Sequence, residues 1–164
     1  MTDEEQDLWG LLSSINEWIR FADAKAGAII ALAGAIGSLT TLEVSRSSHG
    51  ALDYGVAVAA LAGTAGAILC AILTLLPRVK PEEGLDTTVY FGHIARFTSS
   101  HALLEAARTT RASGDLAIEL AHQVRENARI AEYKFGWIRR ASLFVASQLT
   151  MGVILLAIRL ASAL

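Results

Sequence analysis

Two charges of opposite sign stand at the start of a long apolar stretch near the N-terminus. Asp23 and Lys25 precede a run from Ala26 to Leu39 that contains no charged residue. Such charges are costly inside an apolar core. At a membrane surface, however, lysine can extend to the interface and aspartate can keep contact with water or with a partner. The pattern therefore predicts the mouth of a membrane-spanning helix.

A third charge, Lys134, lies in a polar row ahead of the last apolar stretch. Asn127 and Lys134 fall on one face of a predicted helix, and Asn16 and Asp23 fall on one face of the N-terminal helix. We expect the two rows to face each other and Asp23 to pair with Lys134 or Lys25. Two interpretations stay open: a structural ion pair that fixes helix register, or a network that senses a ligand or gates the membrane.

An aromatic and basic cluster occupies the middle of the chain. Tyr90, Phe91, His93 and Arg96 combine rings that can stack on a base with a guanidinium that can grip a phosphate. Simple core packing is the alternative interpretation. The segment is ambiguous between a strand and a short helix, and its spacing of three and four favours a helix.

Motifs for catalysis are missing from the sequence. It contains no HExxH, GxSxG, Walker A or GxGxxG pattern, and its four histidines are scattered. The single cysteine, Cys70, excludes an intramolecular disulfide and a cysteine zinc cluster. We therefore expect no catalytic residues, no metal site and no cofactor, and an enzyme is the weakest functional interpretation.

The composition is that of a membrane protein. Hydrophobic residues make up 53% of the chain and charged residues 18%, and the mean hydropathy is +0.44, which is rare in a soluble domain of this length. The net charge of −2 gives no reason to expect nucleic acid as a partner. The lipid bilayer is the expected partner.

The predicted fold is an all-α membrane protein with three transmembrane helices and a helical cytoplasmic section, in which long helices continue from the cytoplasm into the membrane. Ten of the fourteen Lys and Arg residues lie between positions 77 and 140, so the positive-inside rule places this section and the N-terminus in the cytoplasm and the C-terminus outside. The acidic N-terminus does not resemble a signal peptide. The predicted segments are a cytoplasmic amphipathic helix (1–22), a first span (23–42), an extracytoplasmic turn (43–51), a second span (52–76), a cytoplasmic sensor section (77–140) and a third span (141–164).

Local signals fix the predicted helix ends. Thr2 and Glu5 have capping-box spacing, and one helix should run from about Glu4 to about Leu42. Ser99 and Ser100 can cap a helix over 101–112, and residues 113–115 break it and start the next. That last helix should continue into the third span.

Small residues predict how the helices pack. Rows of glycine and alanine spaced by four allow close helix contact, either within one hairpin or between copies of the chain. On the last helix a heptad row made mostly of alanine is the predicted seam. The rows on the first two spans are Gly27, Ala31 and Ala35, and Gly55, Ala59, Gly63 and Ala67; the seam is Ala117, Ala121, Val124, Ala128, Ala131, Phe135 and Ile138.

Three stretches carry a resemblance to a known family. WIRFADAKAGAII (18–30), VYFGHIARF (89–97) and NARIAEYKFGWI (127–138) resemble, in this order, the pattern of the Pycsar transmembrane effector family. The resemblance implies a bacterial antiphage effector of the inner membrane that senses cyclic CMP or cyclic UMP, made by a pyrimidine nucleotide cyclase. Such an effector impairs membrane integrity and causes abortive infection. It also implies that Asp23, Lys25 and Lys134 are signature positions.

We expect the chain to form a homo-oligomer, with a ligand-binding or gating site that lies either within one subunit or between subunits. A non-signalling membrane scaffold, or an accessory subunit of a larger membrane complex, is the alternative function. The predicted ligand-binding or gating residues are Asp23, Lys25, Lys134, Tyr90, Phe91, His93, Arg96 and Asn127.

Overall fold

The computed structural model describes residues 2–45, 50–76 and 88–162. Within these ranges 91% of the residues are helical and there is no strand, which confirms the predicted all-α class. The centre of the predicted turn (46–49) and the basic residues Arg78 and Lys80 lie outside the described residues. The helices are α1 (Asp3–Ser45), α2 (Ala51–Leu75), α3 (Phe91–Ile94), α4 (Ser100–Ser113) and α5 (Leu116–Ser162).

The helix ends follow the local signals in the sequence. At the start of α1 the Glu5 amide donates to the Thr2 hydroxyl (3.2 Å) and the Thr2 amide donates to the Glu5 carboxylate (2.9 Å), which is a capping box. The Ser99 hydroxyl accepts from the Ala102 amide (3.1 Å) and caps α4. Gly114, with φ of 81°, ends α4 in the left-handed region that favours glycine.

Three helices, α1, α2 and α5, are long and apolar enough to cross a membrane. Among the described residues α1 continues without a break from its amphipathic first half into its apolar second half, and α5 passes through Gly136 in the same way. Leucine, isoleucine and valine side chains remain exposed on all three helices, as expected where lipid replaces water. The chain is therefore an all-α membrane protein with three transmembrane helices.

The chain divides into two compact units, each built from separate parts of the sequence. The first unit comprises residues 1–20 and 77–132, and its core contains the buried side chains of Leu12, Leu116 and Leu120. The amphipathic half of α1 thus packs on α5 of its own chain. In this unit the predicted seam is confirmed only at Val124, which packs against the core. Ala121 and Ala128 are exposed, because the larger leucines bury more apolar area when the helix turns them inward.

The second unit comprises residues 21–76 and 133–164. Its core is made largely of small side chains from all three long helices, among them Ala26, Ala67 and Ala141, which allows the helices to approach closely. Gly66 lets the Phe144 ring lie against α2, since a Cβ at position 66 would stand 2.8 Å from this ring and the ring would have to shift.

The predicted small-residue rows divide between the inside and the outside of this unit. Gly63 and Ala67 are buried within the chain, and Gly63 lies against Phe144 and Gln148 of α5. This half of the α2 row therefore packs within one chain, but its contact at Gly63 is with α5 and not within the α1–α2 hairpin. The other members of the two rows are exposed: Gly27, Ala31, Ala35, Gly55 and Ala59.

Candidate functional site

A charge pair joins α1 and α5 in the second unit. The Lys134 ammonium donates to Oδ1 of Asp23, so the predicted pairing is confirmed, with Lys134 as the partner. The Lys134 side chain is only 11% exposed, whereas that of Asp23 is 38% exposed. The ammonium therefore depends on the carboxylate more than the carboxylate depends on the ammonium. The ammonium of Lys25 lies 5.4 Å from the centre of the Phe21 ring, within cation–π range.

A chain of amides joins the same two helices in the first unit. Asn127 Nδ2 donates to Asn16 Oδ1 (2.8 Å), and Gln123 Nε2 donates to Asn127 Oδ1 (2.8 Å). Asn127 thereby uses both ends of its amide. The expected contact between the two polar rows is confirmed here and at the charge pair, and both contacts join residues 111 positions apart in the sequence.

A polar contact that the sequence analysis missed lies in the core of the second unit. Gln148 on α5 is fully buried, and its Nε2 donates to the Ala33 carbonyl on α1 (3.1 Å) and to the Thr64 hydroxyl on α2 (2.6 Å). Its Oε1 is buried and has no hydrogen-bond partner among the residues that the structure describes. One amide thus connects all three long helices. The signal was present, because Gln148 is the only amide side chain in the last apolar stretch and polar residues inside spans are functional candidates.

The predicted aromatic and basic cluster is only partly assembled. His93 is buried, and its ring meets the Tyr90 ring edge-on at 5.1 Å between centroids, while Arg96 is exposed. The side chain of Phe91 lies outside the described residues. The helical preference of this segment is confirmed for the single turn of α3. A role for these four residues in ligand binding stays a prediction.

A cleft of about 340 Å³ opens in the first unit beside this cluster. Its apolar lining includes Val89, Ile94 and Leu116, and α4 contributes Arg108 and Arg111. The remaining lining residues are Trp9, Thr88, Leu104 and Ala107. The described side chains of the cluster, those of Tyr90, His93 and Arg96, do not line it.

Neither this cleft nor the group of residues that forms it was predicted from the sequence. Positions 104, 107, 108 and 111 share one face of α4 by the spacing of three and four, so the two arginines could have been placed side by side from the sequence. The contribution of Trp9 depends on how α1 packs on the rest of the unit, which no local pattern shows.

Glu119 fixes one wall of the cleft. Its Oε2 accepts from the Thr88 amide (2.8 Å) and the Thr88 hydroxyl (2.9 Å), and its Oε1 accepts from the Thr110 hydroxyl (3.3 Å). One carboxylate thus ties the segment before α3 and the end of α4 to α5. Because charge-assisted bonds to a carboxylate are stronger than neutral ones, Glu119 holds Thr88 in place at the cleft.

The fold and these contacts define a class: a three-span helical membrane protein with a second helical unit that carries a cleft. Residues 7–161 match the Pycsar effector protein domain. A protein described as Pycsar effector protein PtPycTM, from Propioniciclava tarda, is 30% identical over an alignment of 144 positions that covers 84% of this chain and 71% of that protein. No solved structure matches the chain. The chain belongs to the Pycsar effector family.

Proposed function

We propose that this chain is a membrane effector of a bacterial antiphage system, which senses cyclic CMP or cyclic UMP and impairs the integrity of the inner membrane. The messenger comes from a pyrimidine nucleotide cyclase, and the outcome is abortive infection. The chain acts by binding and rearrangement and not as an enzyme. Its first unit and N-terminus lie in the cytoplasm, and the C-terminus lies outside.

The observation that carries this proposal is the extent of the family match. It covers residues 7–161 and therefore includes nearly all of both units. If the match were confined to the spans, a membrane scaffold would explain it as well as an effector does. Here the unit with the cleft belongs to the family pattern as much as the transmembrane unit does, which favours a protein that couples a signal to the membrane.

The core of the second unit supports a membrane activity. Gln148 and Thr64 are polar groups in the interior of three apolar helices, and within the described part of the chain the Gln148 Oε1 is buried without a partner. Polar groups within spans face the bundle interior or a water-filled path. When the helices separate, these groups supply polar lining for water and ions.

The messenger acts by shifting a population. It moves the chain from a resting to an active state only through its difference in affinity for the two. A shift from about 1% to about 99% active requires roughly 10⁴-fold tighter binding to the active state.

Copies of the chain assemble in this proposal. The exposed row of Gly27, Ala31 and Ala35 on α1 is a surface on which two helices can approach closely. A pore needs more helices than three, so an assembly also explains how one small chain damages a membrane.

A leakage assay tests the proposal. Purified chain is reconstituted in liposomes that hold a self-quenched dye, and cyclic UMP, cyclic CMP or cyclic AMP is added. We expect one of the pyrimidine messengers to raise the leakage rate and cyclic AMP to leave it unchanged. Equal leakage with and without each messenger would contradict the effector function and leave the scaffold.

Orientation can be tested separately. Cys70 is the only cysteine and is buried, so a Cys70→Ala chain is a thiol-free background for single cysteines. If the N-terminus is cytoplasmic, a cysteine placed at Thr2 should react with an impermeant maleimide only after the spheroplast membrane has been permeabilised. Labelling in intact spheroplasts would place the N-terminus outside.

A further inference from the structure

The cleft in the first unit is lined by apolar side chains and by two arginines, Arg108 and Arg111. Its volume of about 340 Å³ is at the lower end of the range of roughly 300–1,000 Å³ that small-molecule sites occupy. A ligand with one ring system and one anionic group is therefore the right size. A peptide or a polynucleotide is too large for this volume.

The cations of the cleft are available for an anionic ligand. Arg108 and Arg111 stand three residues apart on the face of α4 that lines the cleft. Among the described residues the guanidinium of Arg108 forms one ion pair, an i,i+3 pair with Glu105 at 3.1 Å, and its side chain is 66% exposed. A solvent-exposed pair of this kind is worth little, so a ligand phosphate can recruit the guanidinium. Two guanidiniums can then grip one phosphodiester through several charge-assisted bonds.

The aromatic part of a ligand also has a surface to meet. Trp9 lines the cleft and is 44% exposed, and Leu104 beside it is also exposed. An indole left open at the mouth of a concave site offers a face for stacking on a planar base. Thr88 adds a hydroxyl, which Glu119 holds in position.

We propose that this cleft binds a cyclic mononucleotide with a single-ring base: the base stacks on Trp9 over the apolar wall, and Arg108 and Arg111 bind the cyclic phosphodiester. The proposal rests on the proposed function for the identity of the messenger. It places the site within one chain, and on residues other than the Tyr90, His93 and Arg96 cluster.

Calorimetric titration of the full-length chain in detergent micelles with cyclic UMP and cyclic CMP tests the site. Arg108→Gln and Arg111→Gln should each weaken binding about tenfold or more, the loss of a hydrogen bond to a charged group. Trp9→Leu should weaken it about tenfold through lost stacking. Ala107→Trp, which fills the cleft without removing any binding group, should abolish binding.

The chain contains a matched control for the arginines. Arg129 is also 66% exposed and also pairs at 3.1 Å with a glutamate three residues earlier, Glu126, but it does not line the cleft. Arg129→Gln should bind as the wild type does. Equal weakening by Arg129→Gln and Arg108→Gln would show that net charge matters and the cleft does not, and would overturn the proposal.

The remaining outcomes separate the site from the function. If the wild type binds a messenger and the cleft variants bind it equally well, the cleft is not the binding site and the proposed function stands. If the wild type binds neither messenger, both proposals fail. Thermal unfolding of each variant, followed by circular dichroism, checks that lost binding is not lost folding; because these side chains are largely exposed, we expect the midpoints to match the wild type.

Discussion

The strength of the Gln148 contact can be measured with a double-mutant cycle. Gln148→Leu keeps the volume of the side chain and removes its bonds to the Ala33 carbonyl and the Thr64 hydroxyl. Thr64→Val removes the same hydroxyl, which also donates to the Ala60 carbonyl at 3.1 Å. The bonds to Ala33 and Ala60 each belong to one single variant and cancel in the cycle, so the coupling energy reports the bond between Gln148 and Thr64.

The expected magnitude follows from hydrogen bonds between membrane helices. Such bonds average about 0.6 kcal/mol and reach about 1.7 kcal/mol in membrane proteins, so the coupling should fall in this range. Gln148→Leu alone loses two such bonds. It also removes a buried acceptor that has no partner among the described residues, and such an unsatisfied acceptor destabilises the wild type by about 1–3 kcal/mol. These two effects nearly cancel, and we expect Gln148→Leu to change the free energy of unfolding by no more than about 1 kcal/mol.

Equilibrium unfolding of the full chain in mixed micelles, followed by far-UV circular dichroism, gives all four free energies. Thr109→Val is the matched control, since Thr109 makes the same kind of bond to a carbonyl four residues earlier (2.9 Å) but is exposed on α4. It should be additive with Gln148→Leu. Strict additivity of Gln148→Leu and Thr64→Val would show that the bond is not formed. A loss of more than about 3 kcal/mol for Gln148→Leu alone would refute the cancellation.

Three further predictions concern stability and use the same unfolding measurement. Leu120→Ala should lower the free energy of unfolding by about 2–5 kcal/mol, because Leu120 is fully buried. Ile118→Ala, at a side chain that is 69% exposed, should lower it much less. Equal losses would mean that Leu120 is not part of the core. Asp23→Asn should destabilise more than Lys134→Met, because it leaves the more buried partner charged and unpaired; the reverse order would contradict the burial of the pair. Gly66→Val should destabilise by at least about 1 kcal/mol because its side chain would overlap an aromatic ring on α5, and an unchanged stability would mean that the helices are further apart.

The helices and their ends could be predicted because the signals are local. The capping box at Thr2 and Glu5, the Ser99 cap and the left-handed Gly114 each involve residues within four positions of one another. The long α1 and α5 follow from the absence of prolines over their whole length. The apolar runs then identify the three spans by length alone.

The packing faces were harder to predict, because they depend on which helices meet. Alanine at heptad spacing looks like a close-packed seam, but Ala121 and Ala128 are exposed while Leu116 and Leu120 are buried. The two rows lie on different faces of one helix, and the sequence of α5 favours neither without knowledge of its partner. Volume decides the choice: α1 offers Leu12 to the same core, and leucines fill the space that alanines would leave.

The cleft illustrates the same limit for the candidate site. The aromatic cluster can be recognised in the sequence because its residues are close together in the chain. The concave surface, in contrast, is formed by α1, α4, α5 and the segment around Val89. Only the arginine spacing on α4 could be seen locally. Trp9 suited a membrane interface as well as it suits a binding cleft, because the residue type alone does not distinguish the two.

The charge pair between Asp23 and Lys134 is best explained by the other registers of α1 against α5 that it excludes. In the second unit α1 and α5 run in the same direction, and the many small side chains of their contact face do not by themselves fix the register of the two helices. A shift of α5 by seven residues one way would place Ala141 against Asp23, and the other way would place Asn127 there. Either shift leaves the Lys134 ammonium, which is only 11% exposed, without its carboxylate. The pair therefore selects one register even if its net contribution to stability is small, since breaking a buried pair costs far more than replacing it with apolar residues.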